Sequence, residues 1–268
     1  MTSAKDIAGA TIKQQLLKNY GFTETGRQFD GFPVFTLPID GHEARLFTIS
    51  SDSIHAENID RRIPADLFVF ATRHVSRTGV PALTAHSVGN WGKADFGGRD
   101  DTICTTSASL LKLFLQNLAA VAKSEDYKGE VVQESTHHGP YLEKPAVFIE
   151  VGSAESDWKD ERLASMVADS LIGGLGDYAA LENDFVPVVG LGGLHYGSGF
   201  RKLMLDSDYA VGHICPKHHL QSLTMELLRQ AMESCGAESV ALDWKGLGQE
   251  KQRIKELLSA GKIESFKV

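Results

Sequence analysis

The sequence lacks the features that would crosslink the chain or place it in a membrane. Only three cysteines occur in 268 residues (Cys104, Cys215 and Cys235), and no Cys-x-x-Cys pair is present. A disulfide scaffold and a thiolate zinc knuckle are therefore excluded, and buried neutral thiols are favoured over a reactive role. No apolar run approaches the roughly 18 residues of a membrane span, and the first residues do not resemble a signal peptide. We expect a cytoplasmic protein without a membrane partner.

Positive charge is also scarce. The 27 Lys and Arg residues are outnumbered by 35 Asp and Glu residues, which gives a formal net charge of −8. Since neutralised phosphates supply most non-specific affinity for nucleic acids, this balance argues against a duplex binder and against DNA as a partner. It allows an enzyme that holds one end of an RNA through a small basic patch. The composition is that of a globular protein, and we expect residues 1–268 to form a single domain.

Short apolar runs alternate with amphipathic stretches, which predicts an α/β fold with a mixed sheet covered by helices. The predicted helices are Ser107–Lys123, Ser156–Ile172 and Leu220–Met232, and Gly173-Gly174 is expected to end the second. The region Gly89–Thr102 is predicted to be a long functional loop. The predicted strands are Pro33–Pro38, Ala44–Ile49, Leu67–Ala71, Ala82–Ala85, Glu130–Glu134, Ala146–Val151, Val186–Leu191, Tyr209–Ile214 and Ser239–Asp243.

Six of the ten histidines lie at or just after the ends of these predicted strands. In α/β sheets the carboxyl ends of the strands border the ligand crevice, so distant segments can bring their side chains together there. One histidine by itself is most simply a satisfied polar group. Six in equivalent positions predict a site. They are His74, His86, His137, His138, His195 and His213.

The strongest local signal is the segment Glu134–Pro140, which contains the tandem pair His137-His138. Neighbouring side chains of a strand point to opposite faces, so both rings can serve one site only if the strand has ended. Gly139-Pro140 supplies that break. Neutral imidazoles ligate zinc well, and Glu134 or Glu150 can complete the ligand set or orient a ligand. We predict a zinc ion on His137, His138 and Glu150, although the spacing matches no standard zinc motif.

The loop Gly190–Tyr196 follows a predicted strand and is rich in glycine. It lacks the spacing of a phosphate-binding loop, so its glycines Gly192 and Gly193 either allow close approach to a substrate or form an ordinary turn. No Gly-x-Ser-x-Gly elbow is present, which disfavours a serine esterase.

At these motifs the chain resembles the archaeal and plant family of D-aminoacyl-tRNA deacylases. The resemblance implies a three-layer α/β/α fold like those of phosphorylases and peptidyl-tRNA hydrolases. It also implies zinc dependence and hydrolysis of the ester between a D-amino acid and the 3′ end of tRNA. The blocks that carry it keep the family's order, and they are Phe70–Ser76, Leu83–Gly92, Glu134–Pro140, Phe148–Ser153, Gly192–Tyr196 and Gly212–Lys217.

These expectations define a provisional mechanism of metal-assisted ester hydrolysis. A free histidine, His86 or His195, would act as general base, and Asn90 would donate a hydrogen bond to the oxyanion. Basic side chains would hold the phosphates of the tRNA acceptor end, namely Arg73, Arg77, Lys93 and Arg99. The other predicted substrate-binding residues are His74, Gly192, Gly193 and Tyr196.

Two other functions fit the same sequence. A zinc-dependent peptidase or amidohydrolase on a related fold would act on a small amide but not on charged tRNA. A non-catalytic module for the tRNA end would bind stoichiometrically, without turnover and without metal.

Overall fold

The computed structural model describes residues 1–76 and 79–268, so Arg77 lies outside the described residues. Polar side chains cap the N-termini of four helices: Asp6, Ser107, Asp160 and Thr224 each accept a hydrogen bond from a backbone N–H of the first turn. The helices are α1 (Ile7–Asn19), α2 (Ala108–Ser124), α3 (Glu155–Trp158), α4 (Glu161–Leu181), α5 (Arg201–Asp206), α6 (Met225–Cys235) and α7 (Lys251–Gly261).

The strands form two four-stranded sheets and three smaller ones. They are β1 (Thr2–Ser3), β2 (Thr23–Phe29), β3 (Phe32–Ile39), β4 (His42–Leu46), β5 (Thr48–Ile49), β6 (Phe68–Arg73), β7 (Ala82–Ser87), β8 (Gly89–Asn90), β9 (Thr102–Ile103), β10 (Glu130–Gln133), β11 (Ala146–Gly152), β12 (Val186–Leu191), β13 (Tyr209–Cys215), β14 (Ser239–Leu242) and β15 (Glu264–Lys267). The first large sheet has the order β10-β7-β11-β6, in which only β7 and β11 are antiparallel. The second, β13-β12-β14-β15, is parallel throughout.

The segment after β10 joins the two large sheets. The N–H of Thr136 donates to the carbonyl of Ile214 at 3.0 Å, and the N–H of Ile214 donates to the Thr136 hydroxyl at 3.0 Å. The N–H of Ser135 donates to the carbonyl of His195 at 2.7 Å. Because β13 contains Ile214 and His195 follows β12, this segment fixes the end of the first sheet against the second.

Side chains alternate across the joined sheets, and each face packs against its own layer. Val188 contributes to a core shared with α1, α2, α4 and α5, while its neighbour Val189 packs on the opposite face with α6 and α7. Loops between residues 50 and 65, together with β3, cover the rest of that second face. The predicted three-layer α/β/α arrangement with a mixed sheet is therefore confirmed.

The prediction that Gly173-Gly174 ends a helix is wrong, since α4 continues to Leu181. Both glycines face α2 at very short range. A Cβ built on Gly173 would lie 2.5 Å from Asn117 Oδ1, and one on Gly174 would lie 2.5 Å from the ring of Phe114. The two glycines therefore serve close packing of α4 on α2.

Several elements were not predicted from the sequence, among them α1, α7, β2 and β15. Helix α1 buries small and polar residues such as Gly9 and Thr11, so its apolar period is weak. Strand β15 lies at a sheet edge and buries little of its surface. In the described residues, no helix combines the length and the apolar composition needed to cross a bilayer.

The packing of α4 on α2 can be tested with two identical substitutions in one helix. Gly174→Ala should lower the free energy of unfolding by about 1 kcal/mol or more, because overpacking against Phe114 outweighs the gain in helix propensity. A Cβ on Gly176 would meet the Asp40 carboxylate at 3.3 Å and Ile39 Cγ2 at 4.0 Å, so Gly176→Ala should be neutral or stabilising by up to about 1 kcal/mol. Denaturant unfolding measures both values. Equal effects at the two positions would refute the packing argument.

Candidate metal and catalytic site

Five histidines come together from segments at the ends of β6, β7, β10 and β12, although β6 runs opposite to β7 and β10. His74 follows β6, His86 lies near the end of β7, His137 and His138 follow β10, and His195 follows the turn after β12. The ring centroids of His86 and His137 are 4.2 Å apart, and those of His137 and His195 are 4.6 Å apart. The sequence-based expectation that strand-end histidines meet thus holds for five of the six.

The sixth, His213, lies inside β13 and does not join the cluster. Its Nδ1 is 3.0 Å from the Ser87 hydroxyl and 3.1 Å from that of Thr136, and its Nε2 is 3.0 Å from the Ser234 hydroxyl. Both ring nitrogens therefore have partners, and burial lowers the pKa of His213 to about 3. This residue is a buried neutral histidine that ties β13 to its neighbours.

Three of the five histidines turn their Nδ1 atoms towards backbone carbonyls. The Nδ1 of His86 is 3.0 Å from the carbonyl of Ser87, that of His137 is 2.7 Å from the carbonyl of Ser135, and that of His138 is 2.6 Å from the carbonyl of Gly139. A carbonyl only accepts hydrogen bonds, so each Nδ1 carries the proton. In a neutral ring the lone pair is then on Nε2, as in most metal-binding histidines.

Two buried carboxylates complete the site. The His74 Nδ1 lies 3.0 Å from Glu134 Oε1 and 3.5 Å from Glu150 Oε2, and the His195 Nε2 lies 2.7 Å from Glu134 Oε2. The Thr72 hydroxyl donates to Glu150 Oε1 at 2.7 Å. The contacts of Glu134 are close but poorly aligned, so within the described part of the chain neither of its oxygens accepts a proper hydrogen bond. A buried carboxylate that faces His74 but accepts no such bond has the capacity to bind a further cation.

The electrostatics divide the histidines into two kinds. Burial acts against a charge on His74, but Glu134 and Glu150 raise its pKa to about 11. Burial and the adjacent His86 lower the pKa of His138 to about 4, and they hold the pKa of His137 well below its usual range. His74 is therefore a cation held between two carboxylates, whereas the tandem pair is neutral at physiological pH. Neutral imidazole is the form that binds metal.

The donors form three overlapping groups whose ligand atoms lie within 4.8 Å of one another: His86 with His137 and His138, Glu134 with His137 and His195, and His74 with Glu134 and Glu150. These groups could hold a metal ion. Glu150 raises the pKa of His86 despite its burial, so a proton and a metal ion would compete for the same Nε2.

The structure regroups the predicted ligands. His137 and His138 come together as expected, but their third partner is His86, which had been considered as a general base. Glu150 lies in a different group, with His74 and Glu134. Glu134, the alternative carboxylate, belongs to two of the three groups. No sequence signal distinguished it from Glu150, because the difference arises where the two sheets meet.

Among the described residues predicted as oxyanion donor or phosphate ligands, Arg73 alone lines the cleft at the cluster. The Asn90 amide nitrogen donates to the carbonyls of Gly97 and Arg99 and so holds the loop between β8 and β9. On that loop, Lys93 pairs with Asp100 at 2.7 Å, and the Arg99 guanidinium lies 3.5 Å from the centre of the Tyr141 ring.

The glycines of the loop after β12 approach the protein's own backbone. Gly192 has φ of 107°, and a Cβ there would lie 2.9 Å from the carbonyl oxygen of Asp243. Gly193 has φ of 82°, and its carbonyl accepts the N–H of Lys217 at 2.9 Å. The two glycines thus allow the turn that carries His195. Tyr196 contributes directly, with its hydroxyl 2.9 Å from His74 Nε2.

The cluster opens into a cleft of 360 Å³. His195 is at its mouth with a side chain 46% exposed, and His86 is fully buried behind it. Phe96 and Val75 also line the cleft, and both are strongly exposed apolar side chains. Asp6 was missed from the sequence; it lines the cleft as well and accepts the N–H of Arg73 at 3.0 Å.

A crevice lined by neutral imidazoles, buried carboxylates and an exposed histidine defines a hydrolytic type of centre on a three-layer α/β/α fold. Residues 61–266 match the family model described as D-aminoacyl-tRNA deacylase, and the chain belongs to that family. The resemblance inferred from the motifs is thereby confirmed.

Individual relatives agree with this assignment. The D-aminoacyl-tRNA deacylase of Thermococcus onnurineus is 35% identical over 267 residues, which cover 96% of this chain and 94% of that protein. The D-aminoacyl-tRNA deacylase of Pyrococcus horikoshii is 35% identical over 277 residues, which cover 100% of this chain and 98% of that protein. The crystal structure of a conserved protein of unknown function superposes with a TM-score of 0.87 at 30% identity, covering 99% of this chain and 93% of that one.

Metal binding by the cluster can be tested directly. His138→Ala and Glu134→Gln should each greatly reduce the metal retained after dialysis, because each removes a donor from at least one group. The exposed His55 lies outside the cluster, so His55→Ala should retain metal like the unmodified protein. Elemental analysis of the purified variants measures the ratio of metal to protein. Equal metal content in all three variants would show that the cluster is not the metal site.

Proposed function

We propose that this protein hydrolyses the ester bond of D-aminoacyl-tRNA, releasing the free D-amino acid and tRNA, with zinc held by the histidine–carboxylate cluster. One observation carries the proposal: the Nε2 atoms of His86, His137 and His138 and the carboxylate of Glu134 converge behind an exposed histidine, in a chain of this family. When bound, zinc supplies Lewis acidity towards the ester carbonyl and makes water a stronger acid.

In this proposal His195 acts as the general base. Its exposed ring can reach a water molecule in the cleft, and its Nε2 lies 2.7 Å from Glu134 Oε2. The ring takes a proton as the water oxygen attacks the ester carbonyl carbon. It then returns that proton to the ribose oxygen when the ester bond breaks. His86, the other candidate base, is fully buried, and we assign it to metal binding.

In the proposal, His74 and its two carboxylates, Glu134 and Glu150, position the loop that carries His195. Glu150 is held by Thr72, His74 is held by Glu150 and Glu134, and the Nε2 of His74 is 2.9 Å from the Tyr196 hydroxyl. This chain of contacts fixes the loop that carries His195. Asn90 holds the loop of Lys93 and Arg99 beside the cleft, so we propose it as a support rather than as the oxyanion donor.

For the substrate, we propose that Arg73 binds a phosphate or the ribose at the 3′ end. Arg73 lines the cleft, and its guanidinium donates to the carbonyl of Lys5 at 3.3 Å and lies 3.9 Å from Asp52. Lys93, Arg99, Gly192 and Gly193 remain proposed contacts in the surrounding loops. A cytoplasmic location, a single domain over residues 1–268 and the absence of a DNA partner remain predictions.

The general-base role predicts that His195→Gln lowers kcat for D-tyrosyl-tRNA by at least about 10²-fold, since proton transfer by a positioned base contributes roughly 10²–10⁴. The exposed strand residue His42 supplies the control His42→Gln, which should leave kcat unchanged. Single-turnover deacylation of D- and L-tyrosyl-tRNA measures the rates, and metal content is measured on the same samples. Loss of metal together with loss of rate would make His195 a ligand instead. Hydrolysis of small amides but not of charged tRNA by the unmodified protein would favour a peptidase.

A further inference from the structure

The edge of the sheet that carries the catalytic cluster continues into a second group of side chains. In the parallel order β13-β12-β14-β15, the carboxyl ends lie side by side: β12 leads to His195, β14 leads to Trp244, and β15 ends at Lys267 opposite Leu242. Adjacent strands are about 4.8 Å apart, so Lys267 lies about 10 Å along this edge from the strand that leads to His195.

The loops at this edge are packed firmly together. A Cβ built on Gly246 would lie 2.3 Å from the backbone nitrogen of Gly193, and the N–H of Asp243 donates to the carbonyl of Leu191 at 3.0 Å. The segment that contains Trp244 is therefore packed against the turn that carries His195.

Three ammonium groups surround the half-buried indole of Trp244. The Nζ atoms of Lys267, Lys255 and Lys251 lie 4.1, 5.1 and 5.3 Å from a Trp244 ring centroid. None of the three forms an ion pair within residues 1–76 and 79–268. Lys245, which follows Trp244 in the sequence, adds a fourth exposed lysine. We call these five residues (Trp244, Lys245, Lys251, Lys255 and Lys267) the lysine face. The protein as a whole has a net charge of −8, so this group of lysines without ion pairs is a local concentration of positive charge.

Two of these lysines lie at the beginning of one helix. Lys251 is the first residue of α7, directly after its N-cap Glu250, and Lys255 is one turn later. Like charges four residues apart repel each other. Both ammonium groups face the Trp244 ring, and an external polyanion would relieve the repulsion between them.

We propose that the lysine face binds the sugar–phosphate backbone of the tRNA acceptor stem while the aminoacylated 3′ end occupies the histidine cleft. This inference rests on the proposed function. Ammonium groups neutralise phosphates, and the indole offers a flat apolar surface to a ribose or an unstacked base. The lysine face lies beyond His195 along the same edge of the sheet, so an RNA strand whose 3′ end is in the cleft can continue across the face.

The test removes the charges without altering the cleft. The triple variant Lys251→Gln, Lys255→Gln, Lys267→Gln is compared with Lys18→Gln, Lys123→Gln, Lys202→Gln, three exposed lysines on the opposite helical layer. Deacylation of D-tyrosyl-tRNA is measured at several salt concentrations. Hydrolysis of D-tyrosyl-adenosine, which lacks the acceptor stem, is measured in parallel. Denaturant unfolding monitors stability.

For the lysine-face variant we expect KM for D-tyrosyl-tRNA to rise at least about 10-fold, with kcat and the preference for D over L unchanged. The slope of log(kcat/KM) against log salt should become shallower by about 2, at roughly 0.7–0.9 per lost phosphate contact. Hydrolysis of D-tyrosyl-adenosine should not change, and the unfolding midpoint should be unchanged or higher. The control variant should behave like the unmodified protein.

Two results would overturn the proposal: an unchanged KM and salt slope in the lysine-face variant, or an equal effect in the control variant. Failure of the proposed function gives a different result, because the unmodified protein would then hydrolyse neither D-tyrosyl-tRNA nor D-tyrosyl-adenosine. If the unmodified protein hydrolyses both and the lysine-face variant matches it, the function stands and the acceptor stem binds elsewhere.

Discussion

The interaction on which the rest of the structure depends is the compensation of one buried carboxylate, that of Glu134. Burying an isolated carboxylate costs far more than a folded domain can supply, so Glu134 needs cationic or hydrogen-bonding neighbours. His74 and His195 approach its two oxygens at 3.0 and 2.7 Å. The segment that begins at Glu134 also joins the two large sheets through Ser135 and Thr136. Glu134, whose charge must be compensated, therefore lies where the two large sheets join.

This constraint separates the histidines chemically although they lie within a few ångströms of each other. His74 is located between two carboxylates and is held as a cation, whereas His137 and His138 are buried beside other imidazoles and stay neutral. Neutral rings with their protons directed at backbone carbonyls can ligate a metal. One compact cluster thus contains donors for a metal, a fixed charged pair and an exposed base.

The alternation of strands and helices and the three-layer class were predictable because core strands such as Ala146–Gly152 are almost continuously apolar, and helices such as Ala108–Ser124 place apolar residues at helical spacing. Elements with weak periodicity were missed, including α1 and the edge strand β15. The glycines of α4 were misinterpreted because a glycine pair by itself indicates the end of a helix. They are present because Phe114 and Asn117 of another helix approach too closely for a side chain.

The sequence by itself determined the family, the fold class and the presence of histidines at strand ends, since these depend on local order and composition. Tertiary structure decided which histidines share a site. It excluded His213, grouped His86 with His137 and His138, and placed Glu134 rather than Glu150 between the groups. Only the structure could decide this, because it depends on how two sheets meet and on which carbonyl each ring faces. Residues from widely separated segments of the chain fix those distances, and no local pattern records them.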